Sequence, residues 1–373
     1  MVLSKGENNP LRLYKPLTFH GRGSIIKTGI PNKFGPQIYE SEVKAMNRKI
    51  IALFLVLVMV FAFTAVNAYA DDDLIKVGII NLDPSESGYR QANVKDLNET
   101  FTKENGYDAT FVTAPTADKQ LEAARGFITA EVEYILVSAA ETTGWDEVLE
   151  EAQEAGITVF LFDRMIDCDT DLFEAAVVSD MAKEGETAVN WLLSLELPEY
   201  NVIHIQGAMG SDAQLGRTGA LDEQFEAGTM KKVVQQTATW DEAEAKKIVE
   251  SAINSGEAFN VIYAENDGMA KGAVAALDEA GITHGVDKDV VVMGFDCNKW
   301  ALRELQKGNW NYDGQCSPFQ AQVISDMIQV LEEGGEIEGL NDAKQIISVE
   351  KGFDAREITE EDILTYGLGE DVA

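Results

Sequence analysis

The chain has 373 residues, 45% of them hydrophobic, enough for buried cores in two domains of roughly 150 residues each. Its 30 Lys and Arg face 64 Asp and Glu; nine of the basic and three of the acidic residues fall in the first 70, so residues 71–373 carry 21 against 61, a net of −40. So acidic a surface repels phosphate backbones and anionic lipid, which excludes nucleic acid as a partner, and three cysteines exclude a disulfide scaffold.

Residues 1–45 are basic and irregular and read as an extension outside the mature protein. Met46, Asn47, Arg48 and Lys49 then open a basic stretch, Ile50 to Val66 is apolar apart from Thr64, and Ala68-Tyr69-Ala70 precedes Asp71. Basic start, apolar middle and small-residue exit make residues 46–70 a secretory signal peptide cleaved after Ala70, which sends the protein to the periplasm. The competing reading is an uncleaved membrane anchor, for which the apolar run is short.

From residue 74 strands and helices alternate. Leu74 to Leu82 reads as a strand, Glu86 to Glu104 as a helix and Ala109 to Thr113 as a strand; Leu121, Ala124 and Ile128 mark the next helix. Tyr134 to Val137 is a short strand, Trp145, Val148, Leu149 and Ala152 follow a helical spacing, and Ile157 to Phe162 is a buried strand. The pattern then repeats: helix Met181 to Leu195, strand Asn201 to Gln206, helix Leu215 to Ala227, strand Lys232 to Gln236, helix Asp241 to Ile253, strand Val261 to Ala264. A helix through Ala270, Ala273, Val274 and Leu277 follows, then strand Val290 to Phe295, helix Lys299 to Lys307, a short strand to Gln315 and helix Phe319 to Leu331. Such alternation predicts an α/β protein of two doubly wound, parallel-sheet lobes. In open α/β sheets ligands bind outside the carboxyl ends of the strands.

Charged and amide side chains gather at those ends. Arg90 follows the first strand, Asp163 and Arg164 follow Ile157–Phe162, and Arg217 follows Asn201–Gln206. Asn266, Asp296 and Gln315 close three later strands. A neutral polyol needs this mixture, because each hydroxyl donates once and accepts twice: carboxylates take the donated protons and guanidinium forks supply donors. Tyr89 and Trp240 suit the apolar face of a sugar ring. Three arginines also fit an anion, but Asp163 and Asp296 among them repel one. The polarity of loops alone would also place polar residues at strand ends.

Five segments stand in order: Ser85-Glu86-Ser87-Gly88-Tyr89-Arg90, Val159 to Arg164, Gln206-Gly207 with Arg217, Tyr263 to Met269, and Gly294-Phe295-Asp296. Together they resemble the ribose and galactose class of periplasmic sugar-binding proteins of ABC transporters, most of all its galactofuranose-binding members, over roughly residues 74 to 330. The resemblance implies two lobes joined by three hinge strands, the first over 74–178 plus 316–342 and the second over 179–315 plus 343–373. It implies that Glu86, Ser87, Tyr89, Arg90, Asp163 and Arg164 face the ligand from the first lobe. Arg217, Trp240, Asn266 and Asp296 would face it from the second, with Gln315 near the hinge. It also implies a monomer that captures a monosaccharide, galactofuranose or a related aldose, and delivers it to the membrane permease of an ABC importer. A sensing receptor feeding a signalling or chemotaxis system is the alternative. Tyr89 stands where the galactofuranose-binding members have tryptophan, Trp240 where the class usually has phenylalanine, and Gln315 where those members have glutamate. These exchanges leave the identity of the sugar open.

Nothing points to an enzyme, a cofactor or a metal. His204 and His284 sit in no nucleophile motif and read as structural. Asp167, Asp169 and Asp171 resemble the start of a calcium loop, but Leu172 and Val178 replace its required glycine and glutamate. Gly207, Gly210 and Gly216 do not make a dinucleotide fingerprint. An export signal stands where a sugar-sensing repressor would carry its helix-turn-helix. Cys168, Cys297 and Cys316 read as free thiols, with a Cys297–Cys316 bridge as the alternative.

Overall fold

A computed structural model describes residues 74–370. The extension over residues 1–45, the signal segment over 46–70 and its cleavage site lie outside the described residues. The described part holds two six-stranded sheets, built alike.

The first sheet contains β1 (Ile75–Asn81), β2 (Tyr107–Thr113), β3 (Tyr134–Val137), β4 (Thr158–Asp163), β5 (Ala175–Val178) and β11 (Gln345–Ile347), in the order β2-β1-β3-β4-β5-β11 and parallel throughout. Helices α1 (Gly88–Thr100), α2 (Ala117–Thr129), α3 (Asp146–Glu154) and α9 (Ala321–Glu332) cover it. Alternation along each strand divides its residues between two cores. Ile80, Val137 and Leu161 pack with Phe127 of α2, Leu149 of α3 and its N-cap Trp145, whereas Val77, Leu136, Phe160 and Phe162 pack with Leu97 of α1 and Ile324 and Ile328 of α9. Phe160 and Phe162 are fully buried, and each contributes about 1.5–3 kcal/mol on that account.

The second sheet contains β6 (Asn201–Gln206), β7 (Lys231–Thr237), β8 (Val261–Ala264), β9 (Val291–Phe295), β10 (Tyr312–Gly314) and β12 (Gly352–Asp354), in the order β7-β6-β8-β9-β10-β12. Only β12 runs antiparallel, against β10. Its helices are α4 (Met181–Ser194), α5 (Asp212–Glu226), α6 (Glu242–Ser255), α7 (Asp267–Ala280), α8 (Lys299–Gln306) and α10 (Glu360–Tyr366). In both sheets the order reverses beside the first strand of the lobe, β1 or β6, which puts a crevice at the carboxyl ends.

The chain crosses between the sheets three times: after β5, after β10, and between β11 and β12. The expected lobe boundary at residue 343 is corrected here. β11 pairs in parallel with β5, Ile346 opposite Val177, so the chain stays with the first sheet until the third crossing. β11 and β12 have three residues each, too few to show a pattern, and neither they nor α10 were expected from the sequence. The helix expected from Glu86 starts at Gly88, because the Ser87 hydroxyl accepts from Arg90 N and caps it. Cys168, Cys297 and Cys316 are all free thiols.

Candidate functional site

The carboxyl ends of the two sheets face each other across a narrow cleft lined from both lobes. Two strand ends set its charges. Asp163 ends β4 and Asp296 follows β9, the fourth strand of each lobe in chain order, and both hold left-handed backbone, with φ of 68° and 104°. Non-glycine residues take this conformation at a cost, and it turns each carboxylate off its strand toward the gap.

On the first-lobe wall Asp163 is held from several sides. Its Oδ2 accepts from Arg90 Nη2 at 2.6 Å and Ser138 Oγ at 2.6 Å, and its Oδ1 accepts from the Tyr89 hydroxyl at 2.7 Å. Burial pushes this carboxyl up, but Arg90, Arg164 and the two hydroxyl donors outweigh it and hold it at about 2. Arg90 is fully buried beneath it, with Nη1 donating to Asn81 and Asn93 and Nε to Glu86. Every edge of that guanidinium is used by the protein. Arg164 differs: it is 5% exposed, Nη1 reaches Ala139 O at 3.4 Å, Nη2 lies 3.8 Å from Glu86, and buried Nε has no hydrogen-bond partner.

On the second-lobe wall Arg217, from the middle of α5, gives both Nε and Nη2 to Glu184 Oε2 at 2.7 Å and lies 3.6 Å from Asp296. Asp296 is buried and pushed up to about 7, by burial first, against the opposing pull of Arg217. Asn266 caps α7, its Oδ1 accepting from Met269 N at 2.8 Å. Trp240 sits in a turn with left-handed φ at 67°, and its indole packs against Gly207, where any Cβ would fall 1.9 Å from a ring atom. Its buried Nε1 has no partner. Across the gap the Arg164 guanidinium stands 5.8 Å from the Trp240 ring centroid.

The lobes are closed on each other. Thr142 N donates to Gly210 O at 3.0 Å and Met165 N to Asp212 Oδ2 at 2.9 Å, from one lobe to the other. Gly88 of α1 comes so near Asn298 that a Cβ there would lie 1.8 Å from Oδ1, and Asp267 anchors that Asn298 through its N and Nδ2.

Of the residues singled out in the sequence, the structure brings Glu86, Ser87, Tyr89, Asp163 and Arg164 to one wall and Arg217, Trp240, Asn266 and Asp296 to the other. It does not bring Arg90 or Gln315 there. Arg90 lies below the wall as a support for Asp163, because its place in the first turn of α1 aims it at Asn81 and Asn93. Gln315 lines a separate cavity with Glu184 and Glu350. Met181, Ala213 and Cys316 complete the cleft and were not anticipated; small or apolar side chains give no sequence signal of such a role. His204 is buried against Glu265 Oε1 at 2.8 Å, and His284 bonds Asn309 O and Asp278, both away from the cleft.

Two matching lobes, a closing cleft and paired strand-end carboxylates invite comparison with known proteins. Residues 77–336 match the family model described as periplasmic binding protein domain. The chain belongs to the periplasmic binding proteins. This periplasmic binding protein is 30% identical over 263 residues to the galactofuranose-binding protein YtfQ of Escherichia coli, across 67% of this chain and 80% of the relative. It is 29% identical over 316 residues to the fructose import binding protein FruE of Bifidobacterium longum, across 82% and 93%. Its fold superposes with a TM-score of 0.69 and 27% identity on the binding component of the arabinose ABC transporter of Shewanella sp. ANA-3 bound to L-arabinofuranose, covering 78% of this chain and 93% of that one. A galactofuranose binding protein of known structure gives 0.69 and 26%, covering 78% and 98%. The resemblance read from the sequence thus holds: the protein's kin are the sugar-binding components of ABC importers, and it is a substrate-binding protein, not an enzyme.

Proposed function

We propose that this periplasmic binding protein captures one neutral monosaccharide, galactofuranose or a related aldose, between its lobes and delivers it as a monomer to the permease of an ABC importer. The observation that carries the reading is a pair of buried donors without hydrogen-bond partners, Arg164 Nε, 3.5 Å from Asp163 Oδ2, and Trp240 Nε1, on opposite walls of one closed cleft. A buried donor left unsatisfied costs about 1–3 kcal/mol, so such donors are matched to ligand oxygens that arrive later. The charge of the walls supports a neutral ligand. Carboxyls of Glu86, Asp163 and Asp296 stand among Arg164 and Arg217, Arg90 is committed to Asp163 and Arg217 to Glu184. A sugar acid would find no guanidinium free of a carboxyl partner. Relatives named for galactofuranose and arabinofuranose favour a furanose ring.

Calorimetric titration with a panel of aldoses that includes galactofuranose, L-arabinose and D-ribose, with galacturonate as the anionic control, tests this reading. One tight neutral ligand per chain is expected. Preference for galacturonate over every neutral sugar contradicts it. The mature protein starts at Asp71 in this reading, and amino-terminal sequencing of exported material that finds Met46 would contradict that start.

A further inference from the structure

The three crossings between the lobes carry more than backbone. Glu184 stands in the first turn of α4 after the first crossing, Cys316 lies in the second and Glu350 in the third. One donor atom from each lies within 4.8 Å of the other two. Glu350 Oε1 accepts from Ser179 Oγ at 2.7 Å and from Ser317 N at 2.6 Å, so it already touches both other crossings. Glu184 is 6% exposed; Arg217 takes its Oε2 twice, and its carboxyl, pushed up to about 8 by burial, shares a hydrogen bond with the Glu350 carboxyl. Gln315 Oε1, in the cavity that Glu184 and Glu350 also line, is a buried acceptor without a hydrogen-bond partner.

Among the described residues Arg217 is the guanidinium beside Glu184, Asp296 and Glu350, and burial pushes all three carboxyls up, so the cluster holds protons that a divalent cation would displace. The lysines at the rim of the cavity turn outward: Lys183 pairs with Glu186 at 2.8 Å and Lys351 with Asp362 at 2.9 Å.

We propose that Glu184, Cys316 and Glu350 bind one divalent cation of the zinc class at the hinge, with Gln315 Oε1 or a water as fourth ligand. Two carboxylates and a thiol form a borderline-soft donor set, which selects zinc over calcium or magnesium. Zinc bonds of about 2.0–2.3 Å put tetrahedral ligands about 3.5 Å apart, within reach of the present spread by small side-chain rotations. Binding releases the Cys316 thiol proton and the proton shared by Glu184 and Glu350 to solvent as the metal bonds form. Arg217 on the outer oxygen of Glu184 orients that ligand. The ion would join all three crossings and stiffen the hinge. This inference does not depend on which sugar fills the cleft.

The test uses the full chain stripped with a chelator, then dialysed against zinc chloride and, in parallel, cobalt(II) chloride. One zinc per chain, a raised melting temperature and a thiolate-to-cobalt charge-transfer band are expected. Cys316→Ser should abolish the band, and Glu350→Gln should weaken zinc on the order of 10–100-fold. No stoichiometric zinc, a cobalt spectrum without the band, or zinc affinity unchanged in both variants overturns the proposal. So does calcium binding at equal strength. The cobalt spectrum of the parent decides the matter even if a variant fails to fold.

Discussion

The two walls of the cleft use the same parts and balance them differently. Each presents an aspartate at the end of the fourth strand of its lobe, in left-handed backbone, with an arginine nearby. On the first wall Arg90 and Arg164 face Glu86 and Asp163, and the Arg90–Asp163 pair is tight at 2.6 Å. On the second, Arg217 is drawn to Glu184 at 2.7 Å and stands 3.6 Å from Asp296. One aspartate is consequently held at about 2 and the other pushed up to about 7. The first wall is a fixed, neutral platform. The second holds carboxyls that burial pushes toward the protonated form around one arginine, and it answers to protons, cations and ligand.

The largest effect should come from breaking the platform. Arg90→Met leaves Asp163 buried without its principal partner and should destabilise the protein by about 3–5 kcal/mol in chemical denaturation. Arg217→Met should cost less, roughly 1–3 kcal/mol, because Glu184 and Asp296 already favour the protonated form. Equal losses would remove the distinction between the walls. Next is Arg164→Ala. It should weaken sugar binding on the order of tenfold to a few hundredfold, at about 1.5–3 kcal/mol for a lost charge-assisted bond, with the fold intact. Unchanged affinity by calorimetry would take Arg164 out of the site.

Gly88→Ala should act on closure alone. The added Cβ overlaps an anchored Asn298 only when the lobes meet, so closing should cost about 1–3 kcal/mol and weaken binding correspondingly. An affinity equal to the parent's would show that α1 and Asn298 do not meet in the bound state. The smallest effect is on pH. Asp163 is depressed, so its stabilisation is present above about pH 4 and is lost only as the pH falls through about 2. Asp296 is raised, so its stabilisation is full below about pH 4 and lost as the pH rises through about 7. The sugar-free parent should therefore melt at a somewhat lower temperature at pH 8 than at pH 5, and Asp296→Asn should flatten that slope. A steeper slope in the variant would contradict the assignment.

How much of this was legible in the sequence follows from distance along the chain. Asp163-Arg164 stood out because two charges directly follow a buried apolar strand. The strand-end rule found Asp296 and Asn266 in the same way. It also pointed to Arg90 and Gln315, which lie in the right segments but turn elsewhere, one under Asp163 and the other into the hinge cavity. Periodicity reports which face of a long helix is buried, not where a side chain in its first turn points. Glu184 and Glu350 belong to crossings far apart in sequence, and no spacing links them. The two-lobe alternation was plain because strands and helices of ordinary length produced it, while the three-residue β11 and β12 left no trace.

In the proposed function, ligand groups on the two lobes come together when the lobes close around a sugar. Small-angle scattering on the parent, with and without a saturating amount of the best sugar from the calorimetric panel, tests it most directly. A smaller radius of gyration is expected with sugar, because the sugar gains its second-wall contacts only in the closed form. The double variant Arg217→Ala with Asp296→Ala should bind through the first wall and compact little. If the parent has the same radius of gyration with and without saturating sugar, the cleft is a preformed site and the closing-lobe account is wrong.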